Sequence, residues 1–129
     1  MIAVDTSAIV AIIQKEADES RLRAALFTMP RAVISTASLL ELQFVMAGKR
    51  SLSSWPDVEA LLLDYGIAAR PFDDRQLQIA REAALRFGRG RHKAKLNFGD
   101  CFAYALARAE GIPLLCTGTD FAETDIAIA

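Results

Sequence analysis

Four acidic residues stand inside apolar stretches of the chain: Asp5 after Met-Ile-Ala-Val, Glu41 within SLLELQFVM, Asp100 within LNFGDCFAYALA, and Asp120 just after PLLCTGT. A buried carboxylate without a partner is costly, or it takes up a proton. Lysine and arginine are scarce beside these four positions, which leaves a divalent cation as the most economical partner. Ligation by oxygen alone suits Mg²⁺ or Mn²⁺. Such a cation makes water a competent nucleophile near neutral pH and neutralises charge on a phosphorane. The pattern therefore predicts metal-dependent phosphate chemistry, with Ser7 and Asn97 as the polar neighbours that orient carboxylates or water.

Each acid also has an ordinary structural explanation. Asp5 before Thr-Ser-Ala-Ile can be a helix N-cap. Glu41 with Ser38 fits a capping box, although Ser35 or Thr36 is the better start after the AVI strand and puts Glu41 more than a turn inside the helix. Asp100 lies three residues after Asn97, where the helix dipole favours an acid. Asp120 can be a turn residue after Gly118, and Asp125 is a weaker extra acid. The functional reading gains from convergence, because Asp5, Asp100 and Asp120 are all expected at one edge of a sheet.

The expected elements are a short buried strand at 2–4 with Asp5-Thr6-Ser7 capping the helix after it, a helix at 18–29, a strand at 31–35 and a helix at 36–48 that is apolar on nearly every side. A helix from about Ser53 to Tyr65 follows, then a strand at 67–72, a helix capped by Asp73 and stopped by Gly88, a helix from Asn97 to Gly111, a strand at 112–116, and a candidate strand at 125–128. Alternating strands and helices predict a single α/β domain over residues 1–129, with a central parallel sheet of about four to five strands flanked by helices. In such a sheet the working groups gather at the carboxyl ends of the strands.

The chain has 129 residues, a net charge of −1 and 53% hydrophobic residues, with a mean hydropathy of +0.24. No apolar run is long enough for a membrane span, and the N-terminus lacks the basic-then-apolar pattern of a signal peptide. The surplus hydrophobicity predicts a protein–protein surface, either a homodimer or an obligate partner; Leu52, Trp55 and Leu61-Leu62-Leu63 are candidates, though a leucine run on a helix also has an inward face. Cys101 and Cys116 have no metal or redox spacing and read as buried thiols of a reducing cytoplasm. His92 is the only histidine, which argues against a histidine-based site. Positive charge is concentrated at Arg81, Arg86, Arg89, Arg91, Lys93 and Lys95, just before the segment carrying Asp100. A basic rim beside an acidic metal centre is the layout a nuclease needs, with Arg86, Arg89, Arg91, Lys93 and Lys95 as candidate RNA contacts; the alternative is a solvated basic loop.

MIAVDTSAIVAI, the helix with Glu41, KAKLNFGDCFAYALA and PLLCTGTDFAETDI together resemble the PIN-domain ribonucleases, specifically the VapC-type toxins of bacterial toxin–antitoxin modules. The likeness covers almost the whole chain. It implies that Asp5, Glu41, Asp100 and Asp120 are the metal-binding catalytic acids, that Ser7 is a polar neighbour of the site, and that structured RNA such as tRNA or an rRNA loop is the substrate. It further implies a VapB-type antitoxin and a homodimer. The chain departs from the family pattern at Thr117 and Thr119, where a basic residue and an Asn or Asp are expected. Two other readings are weighed. An aspartyl-phosphate phosphatase would use Asp5 as nucleophile, but the general acid expected two residues on is Ser7 here. A catalytically silent PIN-fold binding module would keep the carboxylates as caps.

Overall fold

The strands are short and apolar because both of their faces are covered. A computed structural model describes residues 1–48 and 55–129. The strands are β1 (Ile2–Val4), β2 (Ala32–Ser35), β3 (Ile67–Arg70) and β4 (Leu114–Leu115), all parallel, in the order β3-β2-β1-β4. Among the described residues, six α-helices fill the connections: α1 (Thr6–Ile13), α2 (Glu19–Thr28), α3 (Thr36–Ala47), α4 (Trp55–Asp64), α5 (Asp74–Phe87) and α6 (Phe98–Glu110), followed by a 3-10 turn at Phe121–Glu123.

Side chains alternate across each strand and sort the core into two layers. Ile2, Val4, Ala32, Ile34, Ile67 and Leu115 face α1 to α4, with Ile9, Leu22, Leu42 and Val58 packed against them. Ala3, Val33, Leu114 and Cys116 face the other way, onto Ala80, Phe87, Ala103 and Leu106 of α5 and α6. This is the expected parallel α/β sandwich, with four strands among the described residues. Strand order reverses at β1, whose neighbours are β2 and β4, so a crevice opens at its carboxyl end, where open α/β sheets place their sites.

Several boundaries differ from expectation. The third strand stops at Arg70 because Pro71 has no N–H for the ladder. The fourth is only Leu114–Leu115, and the 125–128 segment makes one bridge to it, Leu114 with Ile128, instead of a fifth strand. The helix expected at 18–29 runs over Glu19–Thr28, and Asp18, in helical conformation before it, pairs with Arg21 at 3.1 Å. The expected helix start at Ser53, and Leu52, lie outside the described residues. Of the leucine run, Leu61 is core, Leu62 is half-buried and Leu63 is exposed.

Candidate active site

Two strand-to-helix junctions without a loop bring in the first two acids. Asp5 follows β1 directly, and its main-chain N–H donates to the Leu115 carbonyl of β4 at 2.9 Å. It does cap α1, accepting from the Ser7 N–H at 3.1 Å. The cap and the site are the same carboxylate. Ser35, the last residue of β2, caps α3, so Glu41 lies well inside that helix as expected. Ser38 starts no capping box: its hydroxyl is buried without a hydrogen-bond partner among the described residues. The third acid, Asp100, is held by a true capping box, in which the Asn97 side chain accepts from Asp100 N–H at 2.9 Å and Asp100 Oδ2 accepts from Asn97 N–H at 3.0 Å. Asn97 thus orients Asp100 through its main chain while its own side chain stays at the surface.

Asp5, Glu41 and Asp100 line one cavity of about 250 Å³, together with Thr6, Ser7, Val10, Glu16, Val45 and Thr117. Asp5 is almost fully buried, with 4% of its surface exposed. Burial pushes its carboxyl up to about 6; the Ser7 hydrogen bonds oppose this, and the charges of Asp100 and Glu41 add to it. Glu41 is raised by burial and by Asp100, against the Thr6 hydroxyl, which donates to Glu41 Oε1 at 2.7 Å. Asp100 is raised first by burial and also by Asp120, while the Asn97 N–H and the field of Arg89 pull it down. Three carboxylates crowd together, and no lysine or arginine forms a salt bridge with any of them among the described residues.

Asp120 stands apart from these three. It is exposed at the start of the 3-10 turn and does not line the cavity, though its charge reaches Asp100. Ser7 ties the site to β4, since its hydroxyl accepts from Thr117 N–H at 3.1 Å. Thr117 therefore serves the cavity through its main chain. Thr119 accepts from Ala122 N–H at 3.2 Å, within the turn that follows Asp120.

The basic candidates divide. Arg86 is engaged by Asp125 at 3.1 Å and Lys93 by Glu123 at 2.9 Å, so both serve the C-terminal segment in this structure. Arg89, Arg91 and Lys95 are exposed, and Arg89 acts on Asp100. The loop that carries them is pinned, with Leu96 N–H on the Phe87 carbonyl, Arg89 N–H on the Leu96 carbonyl, and the His92 ring edge-on to Phe87 at 5.1 Å. His92 Nδ1 accepts from Ala94 N–H. The sole histidine is a brace for this loop. Cys101 and Cys116 are free and buried, with burial pushing Cys116 up to about 12.

A PIN domain profile matches residues 2–127. The chain belongs to the PIN-domain family. Its kinship within that family is with the VapC proteins. It is 41% identical to Ribonuclease VapC of Mycolicibacterium smegmatis over 124 residues, covering 96% of each chain, and 42% identical to Ribonuclease VapC42 of Mycobacterium tuberculosis, covering 95% of each. The crystal structure of M. tuberculosis VapC20, described as a sarcin–ricin loop cleaving toxin, superposes with a TM-score of 0.79 at 18% identity, covering 100% of this chain and 98% of that one. VapBC2 of Rickettsia felis, bound to a promoter DNA fragment, gives 0.72 at 18%, covering 100% and 98%. At such identities these two speak for the PIN fold alone.

Three residues that stand at this cavity or against Glu41 are not among the residues the sequence singles out: Thr6, Glu16 and Gly99. Thr6 reads as part of a cap, and nothing in its spacing signals that its hydroxyl turns to Glu41 of α3. Glu16 lies in a polar turn, where an acid carries no signal. Gly99 was the readable one, since a glycine beside an acid in the first turn of a helix has little local reason to be there.

Proposed function

We infer that this protein is a divalent-metal-dependent endoribonuclease, the toxin of a toxin–antitoxin pair, with Asp5, Glu41 and Asp100 as the acids that hold Mg²⁺ or Mn²⁺ and Asp120 as an outer acid. The observation that carries this reading is the convergence on one cavity of three carboxylates, from the end of β1, from α3 and from α6, none of them in a salt bridge with a lysine or arginine among the described residues. Kinship with proteins named VapC ribonucleases supports it.

The donor chemistry fits a hard cation. The three side chains offer oxygen only, and burial first, then neighbouring carboxylate charge (Asp100 and Glu41 on Asp5, Asp100 on Glu41, Asp120 on Asp100), holds all three above the usual carboxylate range. Among the described residues no group of three or more such side chains is placed to hold an ion by itself, so water and a phosphate oxygen would have to complete the coordination of a bound ion. When bound, the metal supplies Lewis acidity to the phosphate and lowers the pKa of water. The chain's own groups do the rest: Ser7 and Asn97 fix the orientation of Asp5 and Asp100, Thr6 holds Glu41, and Arg89, Arg91 and Lys95 attract the RNA backbone. Structured RNA such as tRNA or an rRNA loop is the substrate class that we assign on kinship.

Two apolar surfaces suit the expected protein partners. One is a groove of about 760 Å³ between α5 and α6, lined by Phe72, Leu77, Phe98 and Phe102, with Phe98 82% exposed. We assign it to a second copy of the chain, because it runs up to Asn97 and would set two acid sites near one another. The other is the shallow groove lined by Leu62, Leu63, Gly66 and Ile67, with Leu63 83% exposed, and we assign it to the antitoxin. The proposal as a whole is tested by incubating partner-free protein with total RNA in Mn²⁺ or Mg²⁺, with and without chelator, beside Asp5→Asn. Discrete fragments that require both metal and Asp5 are expected. Folded protein that neither cleaves nor binds metal would point instead to the silent binding module.

A further inference from the structure

Gly99 is buried in the first turn of α6, between Phe98 and Asp100. A carbon added at its Cβ position would lie 1.4 Å from Glu41 Oε2 and 2.2 Å from the Glu41 carboxyl carbon. No real pair of unbonded atoms comes that close. The Glu41 carboxylate therefore fills the space that any side chain at position 99 would occupy. Its other oxygen, Oε1, is the one that accepts from Thr6, so the carboxylate is held on one side by a hydroxyl and let in on the other by a missing methyl.

The backbone at Gly99 does not itself call for glycine. Its φ is outside the left-handed region, unlike Gly66, Gly90, Gly111 and Gly118, and inside a helix glycine is less favourable than alanine by up to about 1 kcal/mol. The atoms in the way are also the far end of a flexible side chain, not main chain. A methyl at this position can be accommodated by expelling the carboxylate while α3 and α6 stay packed. The demand for glycine comes from where Glu41 must be.

We propose that Gly99 is a positioning residue for the acid site, keeping open the seat that sets the Glu41 carboxylate beside Asp100. What that seat serves rests on the metal-site reading above; the seat itself rests on the geometry alone. A plain packing role predicts a different pattern, because a methyl that merely wedged α3 from α6 would do its damage whether or not Glu41 was present.

The test is a double-mutant cycle on the full chain: wild type, Gly99→Ala, Glu41→Ala and the double variant, each titrated with Mn²⁺ by calorimetry and melted in chelator. Gly99→Ala and Glu41→Ala are each expected to weaken Mn²⁺ binding by about 10- to 100-fold, the range seen when the support of a metal ligand is lost. The double variant should be no weaker than Glu41→Ala by more than about twofold. Gly99→Ala with wild-type affinity, or with a full additional loss in the Glu41→Ala background, overturns the proposal. A crystal structure of metal-free Gly99→Ala gives a second readout: Glu41 should have left Thr6, whereas a carboxylate still in place over a shifted α6 start also overturns it. Wild type that takes up no Mn²⁺, alongside an expelled Glu41 in that structure, would sink the metal reading and leave the seat established.

Discussion

Two groups of carboxylates in this molecule share residue types and differ in company. At the carboxyl edge of the sheet, Asp5, Glu41 and Asp100 face one another and are all raised. At the C-terminal segment, Asp125 accepts from the Tyr104 hydroxyl at 2.5 Å and pairs with Arg86 at 3.1 Å and Arg108 at 3.8 Å, while Glu123 pairs with Lys93. There the acids are lowered, in spite of the burial that opposes this at Asp125. The second group is satisfied and clasps the tail to α5 and α6. The first is left in want of positive charge, which is what separates a candidate site from an ion-pair network built of the same parts.

The sharpest way to break this contrast is to neutralise one member of the first group. Asp5→Asn and Asp100→Asn should each reduce RNA cleavage by on the order of a thousandfold, about 4 kcal/mol of transition-state stabilisation, while circular dichroism remains that of wild type. Wild-type rates from either folded variant would remove the acids from the mechanism.

The next effect is on stability, and its sign is opposite in the two groups. Asp5 is raised in the folded protein, so its contribution is fully present below the ordinary carboxylate range and is lost as pH rises through about 6. A shift of that size is worth about 3 kcal/mol. Metal-free protein should therefore melt lower at pH 8 than at pH 5 through this group. Asp5→Asn, which keeps a good N-cap, should melt several degrees higher than wild type at pH 8, and Mn²⁺ should raise the melting point of wild type only. Differential scanning calorimetry with and without chelator reads all three.

Breaking the clasp has a smaller and reversed signature. Asp125 is lowered, so its stabilisation is present above the ordinary range and fades as pH falls through its folded value. Tyr104→Phe or Asp125→Asn should cost about 1–3 kcal/mol by urea unfolding at neutral pH, with RNA cleavage unchanged at temperatures where the protein is folded. A loss of activity in fully folded Tyr104→Phe would mean that the two regions are coupled.

The smallest effect separates the cations. Arg89→Ala should reduce the slope of log affinity against log salt by about one, as for a lost phosphate contact, on an uncleaved RNA bound to Asp5→Asn protein. Arg86→Ala should leave that slope unchanged, because its guanidinium belongs to Asp125. Equal slopes for the two variants would put the whole basic stretch back on an equal footing.

Much of the fold was open to a reader of the sequence, because the apolar strands and their caps are local signals. Asp5, Asp73 and Asn97 cap the helices they were expected to cap, and Gly111 ends α6 in the left-handed conformation. The ends of β3 and β4 were less legible, since a strand's length depends on which neighbours are there to pair with it. At the site, Asp5, Glu41 and Asp100 could be found from the oddity of an acid among apolar residues. Asp120 could not be separated from them by that signal, because its exposure is set by how the turn after β4 leaves the sheet. The engagement of Arg86 and Lys93 was equally hidden: their partners come from the tail, some 30 or more positions away in sequence, and charge spacing carries no trace of it.

The two junctions without a loop have one more consequence. Val4, Asp5 and Thr6 pass from strand to helix with nothing between, and Ser35 is at once the end of β2 and the cap of α3. Glu41 is therefore aimed by counting: each residue of helix turns the side chain by about 100°. A one-residue insertion or deletion between Ser35 and Glu41 would leave the composition nearly intact and swing the carboxylate away from Gly99 and the cavity. In a library of single-codon indels, these junctions should be among the least forgiving places in the chain, however mild the inserted residue.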